Sequence, residues 1–217
     1  MINKAKKYFV TEIMKFDPNK MCLCTILFEG TKEEVEYQQK IVYAIAKKYK
    51  GFKAGAENGE RGYFLTFMIG YLRDFGFKYN FIAESFETSL PWKDVGKMCT
   101  AVGKRITDDC RRLGIKREPF ISFRVTQVYD TGAVVYIYFG FLFFGIEDPV
   151  GAYTIVEDAA RDEIMKYGGC ISHHHGVGKL RKKFLPRSIG GPGIEMLKGL
   201  KRTIDPDNIF ATGNLIG

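Results

Sequence analysis

Two neighbouring runs of β-branched and aromatic residues, 119–129 and 133–144, largely determine what this chain can form. The three residues between them, Asp-Thr-Gly at 130–132, are typical of a tight turn, so the two runs are predicted to pair as an antiparallel hairpin. A further run at 80–88 alternates loosely between apolar and polar residues and is predicted to be another strand. The sequence therefore predicts a largely antiparallel sheet.

Four segments with apolar residues at helical spacing accompany this sheet. They begin after Thr31, at Pro91, at Pro149 and at Leu185. The residues at 21–28 are predicted to form one more strand, and 63–75 is apolar on so many sides that we expect it to pack inside. Together these elements predict an α+β fold, with helices on one side of an antiparallel sheet.

The composition is that of a folded protein rather than a disordered one, with 46% hydrophobic residues among 217. Five cysteines form an odd set without the spacing of metal ligands, which favours a reducing, intracellular compartment. The longest apolar run, 132–146, is shorter than the ~18 residues that a spanning helix needs, and neither end of the chain resembles a targeting signal. We therefore expect neither a membrane-spanning helix nor a readable address in this chain.

All three histidines lie in one segment, 172–184 with the sequence SHHHGVGKLRKKF, which also opens the most basic part of the chain. Imidazoles, cations and glycines that allow close backbone approach meet here, so the segment is a candidate site. From residue 176 onward eight Lys and Arg residues face three acids, which predicts an anionic ligand such as a phosphate, a carboxylate or a membrane headgroup. Because no nucleic-acid-binding motif accompanies these cations, we expect no nucleic acid partner.

Other interpretations of the three histidines stay open at this point. A purification tag would be longer and terminal, and histidines without chemistry are common in proteins. If the backbone is extended, His173 and His175 share a face while His174 points away, so at most two of them can meet one ligand. Because no further histidine or suitably spaced cysteine pair completes a ligand set, we predict no metal site.

Four separated stretches of the chain together resemble one family. They are YLRDFGFKYNFIAESFETSLPW at 71–92, RVTQVYDTGAVVYIYFGF at 124–141, SHHHGVGKLRKKF at 172–184 and IDPDNIF at 204–210. These stretches resemble the C-terminal cap region of the alkyldihydroxyacetonephosphate synthases, which are FAD-linked oxidases of the vanillyl-alcohol oxidase type. The resemblance covers nearly the whole chain, and the glycine-rich FAD-binding half of the family has no counterpart in it.

This resemblance implies a flavin-dependent but redox-neutral transferase with FAD as cofactor. Such enzymes replace the acyl chain of acyl-dihydroxyacetone phosphate with a fatty alcohol, a step of ether lipid biosynthesis. For this chain the resemblance implies a substrate or cap domain at 1–185, and a C-terminal helix and tail at 186–217 that pack on a flavin domain supplied from elsewhere. It also implies a peroxisomal location, a homodimer and contact with a membrane surface.

The resemblance also assigns catalytic roles to individual residues. Tyr136 corresponds to the family's essential tyrosine, an acid or base beside the keto group. An ordinary phenol has a pKa of about 10, so Tyr136 can act only if nearby cations or donors lower its pKa, and we expect the histidines to do so. His173, His174 and His175 would stabilise charge beside the flavin ring and act as acid–base partners. Periodicity alone does not separate Tyr136 from Tyr138, which shares its face.

Binding roles complete the set that the resemblance implies. Arg73, whose planar guanidinium suits a phosphate or a carboxylate, and Ser85 correspond to substrate-binding residues. The implied cofactor-binding residues are His174, His175, Lys179, Arg181 and Asn208. Two alternative functions stay open: a non-catalytic binding module with the cap fold, and a fragment of an FAD-linked hydroxy-acid oxidase, which would show net reduction of the flavin.

Overall fold

The computed structural model describes residues 8–18 and 20–216. The chain divides into two compact units, Met1–Gly70 and Tyr71–Gly217. The predicted boundary between residues 185 and 186 falls inside the second unit and stays a prediction. Among the described residues, every helix is too short or too polar to cross a membrane.

The first unit contains a π-helical turn, Phe9–Ile13, and the helix α1, Lys32–Lys48. Thr31 caps α1 as predicted: its side chain accepts a hydrogen bond from the Glu34 N–H, and the Glu34 carboxylate accepts one from the Thr31 N–H. The strand predicted at 21–28 is wrong, because this segment is irregular and largely exposed. A strand needs a partner for its backbone groups, and the described strands all lie beyond residue 80.

The helix α2, Glu57–Lys78, begins in the first unit and ends in the second. Its aromatic residues are exposed rather than packed inside, contrary to expectation. Tyr63, Phe67 and Tyr71 are examples. Because apolar residues occur on all sides of α2, the helix has no single apolar stripe with which to dock on a sheet.

A three-stranded antiparallel sheet is the framework of the second unit, as predicted. Its strands are β1 (Phe81–Pro91), β2 (Phe120–Val128) and β3 (Gly132–Leu142), in the order β1-β3-β2. The predicted hairpin joins β2 to β3. Because β3 pairs with both neighbours, it is the central strand, and β1 has one free edge.

Two helices cover one face of this sheet, which confirms the predicted α+β arrangement. They are α3 (Trp92–Arg112) and α4 (Pro149–Lys166). Val102 and Ile106 of α3 are fully buried in the same apolar cluster as Phe139 of β3. Tyr153 of α4 stacks on Phe139 with 4.4 Å between ring centroids. Removal of this apolar surface from water is the main stabilising contribution to the unit.

The face of the sheet away from α3 and α4 carries polar side chains. Because side chains alternate along a strand, residues that lie opposite each other share a face. Phe86 lies opposite Ile137 in the apolar core, whereas the next residue along β1, Glu87, lies opposite Tyr136. This second face therefore combines a rigid backbone with groups that can carry charge or protons.

After α4 the chain turns at Gly168, where φ is 74°, and meets the free edge of β1, with the Cys170 N–H donating to Ser89 O at 3.0 Å. A 3₁₀ turn, Lys182–Phe184, leads into the helix α5, Leu185–Ile204, which changes direction at Gly190. A second small core is built around Ile171, Phe184 and Leu185. It anchors both ends of the histidine segment.

Candidate active site

A buried carboxylate organises the histidine segment. Glu87 is 1% exposed, and its two oxygens accept hydrogen bonds from the backbone N–H groups of His173, His174 and His175 at 2.8–3.2 Å. Ser172 Oγ donates to the same carboxylate at 2.7 Å. Successive N–H groups that converge in this way form an anion-binding concavity, and here the protein's own carboxylate fills it.

These hydrogen bonds determine the charge of Glu87. Burial by itself would raise its pKa, but the bonds from His175, Ser172, His173 and His174 outweigh burial and lower the pKa to about 2. Glu87 is therefore ionised at neutral pH. The pKa of His175 is lowered by its own burial, against the opposing effect of the Glu87 charge, so this imidazole is mainly neutral at pH 7.

Two of the histidine side chains meet one phenol. Tyr136 Oη lies 2.7 Å from His174 Nε2 and 2.8 Å from His175 Nε2. Burial and the negative charge of Glu87 raise the pKa of Tyr136. The expectation that the histidines lower this pKa is therefore wrong for this chain, because the neighbouring charge is negative and His175 is neutral.

The path of the backbone explains why consecutive histidines reach one hydroxyl. Residues 172–176 do not form a strand but bend around the Glu87 carboxylate, and the bend ends at Gly176, where φ is 77°. The extended-backbone expectation, in which His174 points away from the shared ligand, is therefore wrong. His173 is the one that diverges: its Nε2 lies 3.0 Å from Tyr129 Oη.

A further contact joins the Tyr129–His173 pair to the cluster of Tyr136, His174 and His175. His173 Nδ1 and His174 Nδ1 lie 2.9 Å apart. Five side chains therefore form one continuous series of hydrogen-bond contacts, in the order Tyr129, His173, His174, Tyr136 and His175. We call this series the Tyr129–His175 network.

Three groups in this region are also close enough to share a metal ion. One ligand atom each from Glu87, His173 and His174 lie within 4.8 Å of one another. The Glu87 oxygens, however, already accept hydrogen bonds from four residues, and the two Nδ1 atoms contact each other. This arrangement suits hydrogen bonding better than the open coordination that zinc requires, and the absence of a metal site stays a prediction.

Comparison with known proteins shows the family of this chain. Residues 1–215 match the model of the family described as FAD linked oxidases, C-terminal domain. The chain belongs to this family. It is 43% identical over 214 residues to an alkyldihydroxyacetonephosphate synthase of Caenorhabditis elegans and 25% identical over 217 residues to one of Trypanosoma brucei brucei.

The matched region is one part of these relatives. Both matches cover 99% of this chain, but only 36% and 34% of the relatives' own length. The fold is shared with a solved structure of an alkyldihydroxyacetonephosphate synthase, with a TM-score of 0.59 and 23% identity, over 85% of this chain and 30% of that one. The chain thus spans about a third of the length of the curated relatives it matches.

Within this FAD-linked oxidase C-terminal domain, the structure brings Tyr136 and the three histidines together around Glu87. Ser85 lies on the same face of the sheet, opposite Tyr138 and two positions along β1 from Glu87. The Tyr138 ring stacks on that of Tyr136 at 5.9 Å between centroids, but it is Tyr136 whose hydroxyl meets the imidazoles. The two tyrosines therefore differ in their contacts, and the catalytic role of Tyr136 stays a prediction.

Arg73 lies apart from this cluster. Its Nη1 donates to Glu84 Oε1 at 2.9 Å, and Glu84 lies opposite Phe139, on the face that carries the helices. Arg73 borders a cavity of about 300 Å³ there, which Tyr153 also lines. The structure therefore does not bring Arg73 to Tyr136, and its role in substrate binding stays a prediction.

The predicted cofactor-binding cations differ in their surroundings. Arg181 Nη1 donates to Gly176 O at 2.8 Å, and its Nε is buried without a hydrogen-bond partner among the described residues. Burial lowers the pKa of Arg181. Lys179 is exposed, and Asn208 lies in the tail, where its N–H donates to Asp205 O at 3.1 Å. Of the two predicted cofactor-binding cations, Arg181 is thus the one held against the backbone that follows the histidines.

Proposed function

We propose that this chain forms the acid–base half of a flavin-dependent alkyldihydroxyacetonephosphate synthase. The reaction exchanges the acyl chain of acyl-dihydroxyacetone phosphate for a fatty alcohol, in ether lipid biosynthesis. The observation that carries the proposal is the convergence of His174 and His175 on the Tyr136 hydroxyl, in a chain 43% identical to a protein of that name.

The proposed reaction needs a group that removes a proton beside a keto carbon and later returns it. The raised pKa of Tyr136 keeps its phenol protonated at rest. To act as a base, Tyr136 must first pass its proton to an imidazole, and the Nε2 atoms of His174 and His175 lie within 2.8 Å of its oxygen. The imidazole that does not accept the proton can donate to the phenolate and stabilise it.

The residues present fit FAD. The buried and unpartnered Nε of Arg181 suits an anionic oxygen of the cofactor or of the substrate, and His174 is exposed on the same segment. His174, His175 and Arg181 would hold the group, with Lys179 and Asn208 added on the family resemblance. When bound, FAD supplies a ring that accepts and returns an electron pair, so that the exchange leaves no net oxidation.

The remaining parts of the proposal rest on the family alone. Because the chain spans about a third of its relatives, the FAD-binding domain is proposed to come from another segment or subunit. We also propose a homodimer, a peroxisomal location and contact with a membrane surface, which suits the lipid substrates. Sedimentation of the reconstituted enzyme, flotation with vesicles and imaging of the tagged gene product test these points.

Reconstitution tests the function. This chain would be coexpressed with the part of the Caenorhabditis elegans relative that it does not match, and the purified complex supplied with acyl-dihydroxyacetone phosphate and a labelled fatty alcohol. We expect retained FAD, labelled ether product, released fatty acid and no hydrogen peroxide. Flavin reduction and peroxide with a hydroxy acid would support an oxidase instead. A flavin-loaded complex that does neither would support a binding module.

A further inference from the structure

Acid–base chemistry that involves only Tyr136, His174 and His175 does not require the other end of the Tyr129–His175 network. That end is Tyr129, which is 48% exposed at the hairpin between β2 and β3. We propose that Tyr129 and His173 are the outer half of a proton relay, which carries the proton between Tyr136 and solvent. The inference rests on the proposed function, because it concerns the proton that this function requires.

The contacts themselves are continuous. Starting from solvent, they are Tyr129 Oη to His173 Nε2 at 3.0 Å, His173 Nδ1 to His174 Nδ1 at 2.9 Å, and His174 Nε2 to Tyr136 Oη at 2.7 Å. Each distance is within hydrogen-bonding range. Each imidazole uses both of its ring nitrogens, one toward either neighbour, as a relay element must.

The position of the protons follows from the donor and acceptor inventory. A neutral imidazole has one N–H and one bare nitrogen, and each contact needs one donor and one acceptor. Two arrangements satisfy every contact with neutral rings and also use the Tyr136 O–H proton within the network: all hydrogen bonds point from Tyr129 toward His175, or all point from His175 toward Tyr129. The tautomer of His173 therefore fixes that of His174 and the orientation of the Tyr136 hydroxyl.

The second arrangement conducts a proton outward. Tyr136 gives its O–H proton to His174 Nε2, and His174 gives its Nδ1 proton to His173 Nδ1. His173 then gives its Nε2 proton to Tyr129 Oη, and the original Tyr129 proton passes to water or a buffer base. Both histidines remain neutral and exchange tautomers, while the negative charge stays on the Tyr136 oxygen, which accepts from His175 Nε2–H. The Tyr136 phenolate then accepts from both His174 Nε2–H and His175 Nε2–H, and a proton from solvent returns to it through the same contacts in reverse.

The fold holds the relay in place. Glu87 accepts the backbone N–H groups of His173 and His174, and Trp92 Nε1 donates to Tyr129 O at 2.9 Å. Glu87 does not compete for the proton, since its nearest approach to an imidazole nitrogen is 3.9 Å, at His175 Nδ1. A path of this kind moves a proton without admitting water to the reacting carbon.

Tyr129→Phe in the reconstituted holoenzyme tests the relay. The variant keeps the ring beside His173 and the backbone carbonyl that Trp92 binds, and removes only the hydroxyl. We expect kcat to fall by about 10–100-fold, at or below the lower end of what a proton-transfer group at the reacting atoms contributes, with KM for acyl-dihydroxyacetone phosphate unchanged. We also expect a larger solvent deuterium isotope effect on kcat and partial rescue by added imidazole buffer.

Tyr138→Phe is the matched control, because it removes a phenol on the same face that contacts Tyr136 only through its ring. Its solvent isotope effect should equal that of the wild type, and imidazole should not stimulate it. If Tyr129→Phe keeps the wild-type kcat and isotope effect in an enzyme that makes the ether product, the relay is wrong and the proposed function stands.

A spectroscopic measurement decides the relay without turnover. With this chain alone labelled with ¹⁵N-histidine in the reconstituted complex, Tyr129→Phe should shift the ring nitrogen signals of His174 as well as those of His173. Of the three histidines, Tyr129 contacts His173 and not His174, so a shift at His174 reports the shared tautomer. Unchanged His174 signals would overturn the relay. If the wild-type complex makes no ether product but Tyr129→Phe still shifts the His174 signals, the proposed function is wrong and the relay is supported.

Discussion

The two faces of the three-stranded sheet are built from the same strands but have different roles. On one face Ile137 and Phe139 are fully buried beneath α3 and α4, whereas on the other Glu87 and Tyr136 are linked to the histidine segment by hydrogen bonds. Along each strand, residues that face the core alternate with residues that face the site. The core residues therefore hold the site residues next to them in place. Substitutions on the first face should therefore change stability, and those on the second should change chemistry.

The largest effect is expected from Tyr136→Phe on the polar face. Loss of one hydroxyl should reduce alkyl exchange by about 10²–10⁴-fold, since it removes the proton-transfer group, while the free energy of unfolding should stay within about 1 kcal/mol of the wild type. Turnover of the reconstituted enzyme and urea unfolding of the chain are the measurements. Retained activity in this variant would falsify the assignment of Tyr136.

Phe139→Ala should show the opposite pattern. The ring is fully buried and stacks on Tyr153, so its removal should lower the free energy of unfolding by about 3–5 kcal/mol. Tyr138→Phe, one residue earlier on the other face, should change it by less than about 1 kcal/mol. If both variants were equally destabilised in urea, the division of labour between the faces would be wrong.

Glu87→Gln is an exception to the comparison between the two faces. Glu87 lies on the polar face, but because its charge is buried we expect its substitution to change stability. Its pKa is about 2 in the folded chain against an ordinary value of 4.5, so the unfolded chain binds more protons between these two values. The stabilisation is complete above pH 4.5, about 3 kcal/mol, and is lost as the pH falls toward 2.

Urea unfolding at pH 7 and pH 3 measures this contribution. Wild-type stability should drop between the two conditions more than that of Glu87→Gln, which has no carboxylate at this position to protonate. Glu195→Gln, in an exposed pair with Lys198, is the control and should behave as the wild type does. Parallel pH profiles for wild type and Glu87→Gln would contradict the assignment.

The smallest effect on stability is expected from Arg73→Ala. The Arg73 and Glu84 side chains are 54% and 49% exposed, and such pairs contribute little, so urea unfolding should not distinguish the variant from the wild type. If Arg73 binds the substrate phosphate, KM for acyl-dihydroxyacetone phosphate should rise about tenfold or more, the loss expected for a hydrogen bond to a charged group. An unchanged KM would leave Arg73 with no part in substrate binding.

Local patterns made much of the fold predictable. The Asp-Thr-Gly turn specified the β2–β3 hairpin, and the apolar stripe of α3 and the proline that opens α4 gave two helices of the core. The strand predicted at 21–28 failed because an apolar run does not specify a pairing partner. The burial predicted for 63–75 failed because apolar content does not determine which surface covers a helix.

The site was predictable in part. A run of three histidines is visible in the sequence, but Tyr136 was selected by family resemblance, since Tyr138 shares its face. Glu87 and Tyr129 were missed, because their partners lie about 85 and 44 residues away along the chain and no local pattern links them. The one available signal was an acid inside an apolar strand, which is stable only when its charge is paired or hydrogen-bonded.

The position of Cys170 against Ser89 has a consequence for how the protein survives in solution. An edge strand with unpaired N–H and C=O groups is a template for another copy of the chain, and proteins protect such edges. The residues that lead into the histidine segment occupy part of this edge: the Cys170 N–H donates to Ser89 O, and Thr88 Oγ1 donates to Cys170 O. A variant in which the histidine segment detaches from β1 would therefore lose the histidine contacts to Tyr136. The same detachment would expose a strand edge at which copies of the chain can associate.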